Sequence, residues 1–238
     1  TDALMVATMD TKDKTINVMN IPRDTMCNNT ATGASKKINA AYGMDTGGKG
    51  GNIEQTSKEI ERLMGFRPDK YVIVNFDGIA AIVDAIGGVD YDVPFDMKYD
   101  DPSQNLHIDL KKGQQHLDGK QTVGFLRWRH NNDYTVQYTN GDEGRVENQQ
   151  KFLKALAGQV LQIKNVTKIR SIAEAVFKNV KTDFSAGELL WMGMQAMQID
   201  NSSIQFFTLP GYGKMSTAGT SVQYSFFFPY YDQTLELV

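Results

Sequence analysis

A short strand, a helix and a second strand follow one another near the middle of the chain. Residues 71–76 form an apolar run of strand length, and residues 78–86 carry isoleucine and valine at helical spacing. Asp77 is the expected N-cap of that helix, and a glycine pair ends it before a strand at residues 89–93. A strand, helix, strand unit of this kind is typical of α/β proteins.

The rest of the sequence mixes strands and helices without strict alternation. Further strands are predicted at residues 4–9, 15–21, 107–110 and 204–209, the first two forming a hairpin. Further helices are predicted at residues 53–64, with Asn52 as the N-cap and Gly65 ending the helix, at residues 119–126, through Arg145, from residue 169 to 180, and after a capping box at Ser185. With 238 residues, 41% of them hydrophobic, the chain is long enough for one ordinary core. We therefore expect an α/β or α+β fold, a layered single domain over residues 1–238 with a mixed central β-sheet flanked by helices.

Three smaller expectations concern loops and helix faces. The polar stretches at residues 96–104 and 211–225 are predicted to be loops. Residues 27–51 are rich in glycine and small polar residues, with one ordered island at residues 37–42. In the helix after Ser185, Leu190 and Met194 are among the residues expected to pack inward.

Composition excludes some classes of function. The formal net charge is −3 with a pI near 5.6, and no segment is rich in basic residues, so nucleic-acid binding is not expected. Cys27 is the only cysteine, which excludes an internal disulfide. No apolar run approaches the roughly 20 residues that cross a bilayer. Because an apolar run begins at residue 3, we expect the sequence to start inside a longer folded unit with a membrane anchor upstream.

One helical face combines polar and apolar residues. Asp142, Arg145 and Gln149 are spaced so that they share this face, and Leu153 and Leu156 continue it. A charge turned toward the interior is costly unless it is paired, so these groups either pair with each other or line a cleft for a charged ligand. An anion bound there satisfies both the guanidinium and the positive end of the helix dipole.

Arg127 and Arg129 flank Trp128 just upstream of that helix. The two arginines point to the same side if the chain leaves the preceding helix in an extended conformation, which Trp128 favours. Two guanidinium groups on one side form a fork suited to phosphate oxygens. Because an isolated Arg-x-Arg pair is more often a pair of surface arginines, the phosphate interpretation depends on Arg145.

The segment after the predicted hairpin carries further charges. Arg23 and Asp24 are interpreted either as a turn ion pair or as the edge of an active site. Asp2 and Asp24 flank the hairpin, and carboxylates near arginines suit Mg²⁺, although their spacing is not diagnostic. The three histidines have neither zinc-site nor catalytic spacing and are interpreted as structural.

Several short motifs occur in a fixed order along most of the chain. They are Asp2 before an apolar run, Pro-Arg-Asp-Thr at residues 22–25, Lys-Ile-Asn-Ala-Ala-Tyr at residues 37–42, Ile-Val-Asp-Ala-Ile-Gly-Gly-Val at residues 82–89, Arg-x-Arg at residues 127–129 and Gly-Asp-x-Gly-Arg-x-x-x-Gln at residues 141–149. In this order and spacing, from Asp2 to about residue 209, they resemble the motifs of the LytR-CpsA-Psr family.

The resemblance implies a membrane-anchored, extracytoplasmic enzyme of cell envelopes, mainly Gram-positive ones. Such an enzyme moves a glycopolymer, for example teichoic acid or capsular polysaccharide, from an undecaprenyl-pyrophosphate carrier onto peptidoglycan and forms a phosphodiester. The implied partners are the lipid-linked glycopolymer, peptidoglycan and the membrane, and the implied cofactor is Mg²⁺.

The resemblance also implies roles for individual residues. The pyrophosphate is expected to be held by Arg23, Lys37, Arg127, Arg129, Arg145 and Gln149. Catalytic roles are expected for Asp142 and for the four arginines of that set. Asp142 either orients Arg145 or accepts the proton of the attacking sugar hydroxyl. Asp2 is expected to bind Mg²⁺, while a second metal-binding aspartate of the family lies on a strand that precedes this sequence.

Two alternatives stay open. The first is a non-catalytic module that binds polyprenyl phosphate or an anionic glycopolymer. The second is a pyrophosphate hydrolase, in which water replaces the sugar hydroxyl as the attacking group.

Overall fold

The computed structural model describes residues 3–27, 37–43, 52–160, 169–217 and 221–237. In chain order, its first elements are β1 Leu4–Asp10, β2 Thr15–Ile21, α1 Ile38–Gly43, α2 Ile53–Met64, β3 Val72–Val74, α3 Phe76–Ile86, β4 Val89–Val93, β5 Met97–Asp101, β6 Leu106–Leu110, β7 Gly113–Leu117 and α4 Gly119–Arg127. They are followed by α5 Asp142–Val160, α6 Ile169–Asn179, β8 Val180–Thr182, α7 Ala186–Ala196, β9 Ile204–Thr208, β10 Gly211–Ser216, β11 Tyr224–Pro229 and α8 Tyr231–Glu236. The predicted mixed class of helices and strands is confirmed.

The chain divides into two compact units, one formed by Thr1–Tyr71 with Ile204–Val238 and the other by Val72–Ser203. The first contains a three-stranded sheet in the order β1, β2, β9. β1 and β2 form the predicted hairpin, whose turn is closed by Asp10: its carboxylate accepts hydrogen bonds from the amides of Lys12 and Asp13 at 2.8 and 2.9 Å. β1 is antiparallel to β2 and β9 is parallel to it, so the predicted mixed sheet is confirmed.

Helix α2 packs on this sheet because its apolar residues occupy one side. Leu63 is buried in the same cluster as Ile21 of β2. The predicted ends of the helix are confirmed: the Asn52 side chain accepts a 2.9 Å hydrogen bond from the Gln55 amide, and Gly65 ends the helix with φ of 76°. These ends are set by local chemistry, since an Asx cap and a left-handed glycine need only their neighbours.

The loop expected at residues 211–225 is wrong in its first part. Residues 211–216 form β10, which is antiparallel to the aromatic strand β11. Its sequence Gly-Tyr-Gly-Lys-Met-Ser has no apolar alternation, because the strand is largely exposed and is held by its partner. The Tyr212 ring stacks on Phe228, with centroids 5.6 Å apart.

The predicted strand, helix, strand unit is confirmed in the second unit as β3, α3 and β4. The expected N-cap Asp77 is wrong, because Asn75 caps α3 and its side-chain oxygen accepts a 2.8 Å hydrogen bond from the Gly78 amide. Gly87 ends the helix with φ of 92°. β3 pairs with β8 and β4 pairs with β7, both antiparallel, so the two strands of the unit are not paired with each other.

The loop expected at residues 96–104 is also partly wrong, because residues 97–101 form β5, antiparallel to β6. Met97 is fully buried, whereas Lys98 and Asp100 are exposed. The strand therefore has the two-residue period, but its charged residues and short length conceal it in the sequence.

The core of the second unit is aromatic. Phe125, Trp128 and Phe152 are each at most 1% exposed and share one cluster with Tyr91 and Tyr138. Neighbouring rings contact one another, with centroids 5.0 Å apart for Tyr91 and Phe125 and 5.3 Å for Phe125 and Phe152. This cluster fixes α4 and α5, which carry Arg127 and Arg145 of the predicted site.

Helix α7 begins at the predicted capping box of Ser185 and Glu188. The expected inward packing of Leu190 and Met194 is wrong, since these side chains are 37% and 49% exposed. The helix is apolar around most of its circumference, so its sequence does not indicate which side faces the core.

Candidate phosphate-binding site

Arg145 is the fourth residue of α5, in its first turn, and is only 5% exposed. The fully buried apolar residue on the same helix is Phe152, whereas Leu153 and Leu156, which were predicted to continue the face of Arg145, are only partly buried. Gln149 is partly buried, and its Nε2 donates a 2.9 Å hydrogen bond to the carbonyl oxygen of Leu126. Asp142 is the first residue of α5, and its side chain lies outside what the structure describes.

The start of α5 packs closely on Tyr138. A Cβ atom at Gly144 would lie 2.9 Å from the Cβ of Tyr138, closer than real side chains approach. The Tyr138 ring in turn contacts Trp128, with centroids 5.1 Å apart and planes at 70°. Glycine just before Arg145 therefore allows the start of α5 to approach Tyr138 closely, and Tyr138 in turn contacts Trp128, the residue between Arg127 and Arg129.

Asn148 is a buried polar residue that the sequence argument missed. It is 8% exposed and lies three residues after Arg145 on α5. Its Nδ2 donates a 2.7 Å hydrogen bond to the hydroxyl of Tyr138, and its Oδ1 accepts one of 3.2 Å from the hydroxyl of Tyr91. Its position one turn from Arg145 is the only sequence signal that could have indicated it.

Trp128 follows the last residue of α4 with φ of −62° and ψ of 138°, so the extended exit on which the Arg-x-Arg prediction depended is confirmed. Arg127 is partly buried: its Nη2 donates a 2.5 Å hydrogen bond to Oε1 of Gln104, and its guanidinium carbon lies 5.3 Å from the centroid of the Phe76 ring. Arg129 is exposed. The hydrogen bond of Gln149 to Leu126 joins α5 to the end of α4, next to Arg127.

The first unit carries Arg23 and Lys37. The Nζ of Lys37 lies 2.9 Å from the carboxylate of Asp24 and 5.5 Å from the centroid of the Phe226 ring, so the Asp24 ion pair is made with Lys37. The carbonyl of Arg23 accepts a 3.2 Å hydrogen bond from the amide of Asn39 in α1. The Nε of Arg23 is buried and has no hydrogen-bond partner in the described part of the chain, as expected of a group that meets an anion.

Magnesium has no visible ligand set in the described ranges. There, no three of the histidine, cysteine, aspartate and glutamate side chains lie where they could hold one metal ion. Asp2, to which the resemblance assigns Mg²⁺, lies outside the described residues. Two histidines contact carboxylates: His107 contacts that of Asp100, and His116 contacts that of Asp90 at 2.7 Å.

None of the described helices is both long enough and apolar enough to cross a membrane.

Arg127 and Arg145 thus lie on two helices that the Gln149–Leu126 hydrogen bond joins, and arginine is the residue most often used where phosphate is bound by paired hydrogen bonds. The chain belongs to the LytR_cpsA_psr family, whose model matches residues 1–229. The predicted family and fold are therefore confirmed.

Individual relatives agree with this assignment. The polyisoprenyl-teichoic acid–peptidoglycan teichoic acid transferase TagV of Bacillus subtilis (strain 168) is 36% identical over 211 residues, which are 85% of this chain and 51% of TagV. The regulatory protein MsrR of Staphylococcus aureus (strain COL) is 28% identical over 212 residues, 88% of this chain and 59% of MsrR. The crystal structure of B. subtilis TagV superposes with a TM-score of 0.77 at 31% identity, covering 99% of this chain and 85% of that one. The chain thus spans little more than half the length of these curated relatives.

Proposed function

We propose that this chain is the catalytic part of a phosphotransferase that moves an anionic glycopolymer from an undecaprenyl-pyrophosphate carrier onto peptidoglycan. The name of TagV supports teichoic acid as the class of polymer and peptidoglycan as the acceptor. We further propose that the enzyme works at the extracytoplasmic face of the membrane, held by an anchor outside this sequence, and that it requires Mg²⁺.

The observation that carries the proposal is the buried guanidinium of Arg145 at the start of α5, where Gly144 packs on Tyr138 and the Tyr138 ring contacts Trp128 of the Arg-x-Arg segment. A charge in a site that excludes water interacts more strongly with a phosphate than the same charge at the surface. Phosphoryl transfer depends mainly on positioning and on neutralising charge, and arginines supply both. In the first unit, the buried Nε of Arg23 is by itself a donor suited to a phosphate oxygen.

The reaction replaces the phosphoanhydride bond of the diphosphate by a phosphate ester bond to the sugar. A sugar hydroxyl of peptidoglycan attacks the phosphorus atom that carries the glycopolymer, a new P–O bond to the sugar forms, and the P–O bond to the bridging oxygen breaks. Polyprenyl phosphate leaves with that oxygen, and the hydroxyl proton passes to a base, for which Asp142 is the candidate. Arg127 and Arg145 hold the diphosphate in line and stabilise the charge on its oxygens.

We propose that Mg²⁺ is held through Asp2. When bound, it would neutralise charge on the diphosphate oxygens. If the proposal is right, chelation by EDTA abolishes transfer and added Mg²⁺ restores it. Transfer that persists in EDTA would remove magnesium from the proposal without affecting the arginine assignment.

The test is a transfer assay with the full-length protein, lipid-linked teichoic acid and peptidoglycan. Arg145→Ala is expected to lower transfer by about a hundredfold, the scale of losing one charge-stabilising donor. Lys151→Ala is the matched control, because Lys151 is an exposed cation on the same helix that pairs with Glu147. Full activity of the Arg145 variant would contradict the proposal.

A second candidate is a non-catalytic module that binds anionic glycopolymer or polyprenyl phosphate. It is favoured by the name of MsrR, which describes a regulatory protein. Tight binding of the lipid-linked polymer without turnover would support this candidate. Release of phosphate without an acceptor would instead indicate the hydrolase.

A further inference from the structure

The side chain of Asn148 joins two tyrosines from different parts of the second unit. Tyr91 lies on β4, and Tyr138 lies in the segment between α4 and α5. The amide of Asn148 donates to Tyr138 at 2.7 Å and accepts from Tyr91 at 3.2 Å, so both ends of the amide are used. Because a tyrosine hydroxyl can donate or accept, the amide keeps a hydrogen bond to each ring in either orientation, and Asn148 links Tyr91 to Tyr138.

Tyr138 contacts both the Arg-x-Arg segment and the start of α5. The centroid of its ring lies 5.1 Å from that of Trp128, the residue between Arg127 and Arg129, and 5.5 Å from that of Phe95. Its Cβ would be 2.9 Å from a Cβ at Gly144, the residue before Arg145. Tyr91 instead contacts Phe125 and Phe152 deeper in the core.

The two hydroxyls stay protonated at working pH. Burial raises the pKa of Tyr138 to about 12, against the opposing hydrogen bond of Asn148 and the charge of Arg145. The pKa of Tyr91 is also raised to about 12, by burial and by the charge of Asp92. The network is therefore neutral.

Asn148 follows Arg145 by three residues, which places both side chains on one face of α5. Any rotation of α5 about its axis that moved Arg145 would also break the hydrogen bonds of Asn148. Such a rotation would take the hydrogen bonds of Asn148 away from the buried Tyr138 and the partly buried Tyr91, so the surroundings oppose it.

We propose that Asn148 and Tyr138 are positioning residues that set the guanidinium of Arg145 relative to the Arg-x-Arg segment. This inference rests on the proposed function, because it assigns the pair to the same anion site. Neither residue touches the reacting atoms. They act by holding Arg145 in place, and displacement of such a group by about 1 Å can cost roughly a hundredfold in rate.

The experiment compares Tyr138→Phe with Tyr91→Phe. Each change removes one hydroxyl that bonds Asn148 and keeps the ring, but only Tyr138 contacts the turn of Arg145. Two readouts are used: kcat and KM of transfer, and the affinity for inorganic pyrophosphate measured by calorimetry. We expect Tyr138→Phe and Asn148→Ala to lower kcat and pyrophosphate affinity by roughly tenfold or more, with Tyr91→Phe within about twofold of the parent.

A double mutant separates positioning from general loss of structure. In an Arg145→Ala background, Asn148→Ala should produce no further loss of affinity, because the group it positions has gone. Full additivity in that background, or equal losses for the two tyrosine variants, would overturn the inference. The pyrophosphate readout does not need turnover, so absence of transfer by the parent protein would refute the proposed function while leaving the positioning test intact.

Discussion

The side-chain amide of Gln149 donates a 2.9 Å hydrogen bond to the backbone carbonyl of Leu126, which lies next to Arg127. Leu126 is in the last turn of α4, where carbonyl groups lack partners within the helix. Gln149 therefore satisfies an orphan carbonyl and at the same time holds α5 against the end of α4. One side chain thus links the two helices whose arginines are assigned to the diphosphate.

Gln149→Ala should lower the free energy of unfolding by about 1 kcal/mol, the usual net value of one such bond. It should also weaken pyrophosphate binding, because the α5 contact near Arg127 is loosened. Urea unfolding and calorimetry measure the two effects. Lys154→Ala, an exposed position on the same helix, is the control and should change neither. Unchanged stability in the Gln149 variant would contradict a structural role for the hydrogen bond.

Two helical glycines should respond to alanine with opposite signs. Alanine is normally better than glycine in a helix by roughly 0.8–1 kcal/mol. A Cβ at Gly187 in α7 has nothing within 4 Å, so Gly187→Ala should stabilise the protein. At Gly144 the Cβ would meet Tyr138 at 2.9 Å, and overpacking of this kind typically costs 1–3 kcal/mol. Gly144→Ala should therefore destabilise, as measured by thermal unfolding, and destabilisation by both changes would refute the packing argument.

Elements with local signals were predictable from the sequence. The cap of α2 at Asn52 and its end at Gly65 need only neighbouring residues, and both are as predicted. The predicted N-cap of α3, Asp77, lies two residues after the observed one, Asn75, because both are good capping residues. The extended backbone at Trp128 was inferred from a large aromatic residue after a helix, and its burial in the core explains why that inference succeeded.

Features that depend on a distant partner were not predictable. β5 and β10 have few apolar residues and owe their strand conformation to pairing with β6 and β11. Asn148 has no motif of its own, since its partners Tyr91 and Tyr138 are 57 and 10 residues away. Gln104 lies in the connection between β5 and β6, so its contact with Arg127 depends on the pairing of these two strands. The site roles of the arginines stay a prediction, carried by the family resemblance.

Cys27 should be unreactive in the folded protein. Burial is the largest cause that raises the pKa of its thiol, and the nearby carboxylate of Glu59 adds to it. The reactive species is the thiolate, which an unfolded cysteine with a pKa of about 8.5 forms readily at mildly alkaline pH. We expect labelling by iodoacetamide at pH 8 to be negligible in buffer and rapid in denaturant. Rapid labelling without denaturant would show that the thiol is accessible and ionised.

Arg127 presents more donors than its contacts use. Its Nη2 bonds Gln104 and its face covers Phe76, which leaves other N–H groups of the fork for phosphate oxygens. Lysine keeps the charge but replaces the planar fork by a point donor. Arg127→Lys should therefore weaken inorganic pyrophosphate binding by roughly tenfold, about 1.4 kcal/mol, as measured by calorimetry.

The matched control for Arg127→Lys is Arg67→Lys. Arg67 is an exposed arginine that pairs with Glu54 in the first unit, and exposed ion pairs contribute little to stability. This change should leave pyrophosphate affinity and unfolding unchanged, since lysine can keep the pair. Because both variants preserve net charge, a selective loss at Arg127 must come from hydrogen-bond geometry. Equal affinities for the two variants would mean that Arg127 acts only through its charge, or does not touch the diphosphate.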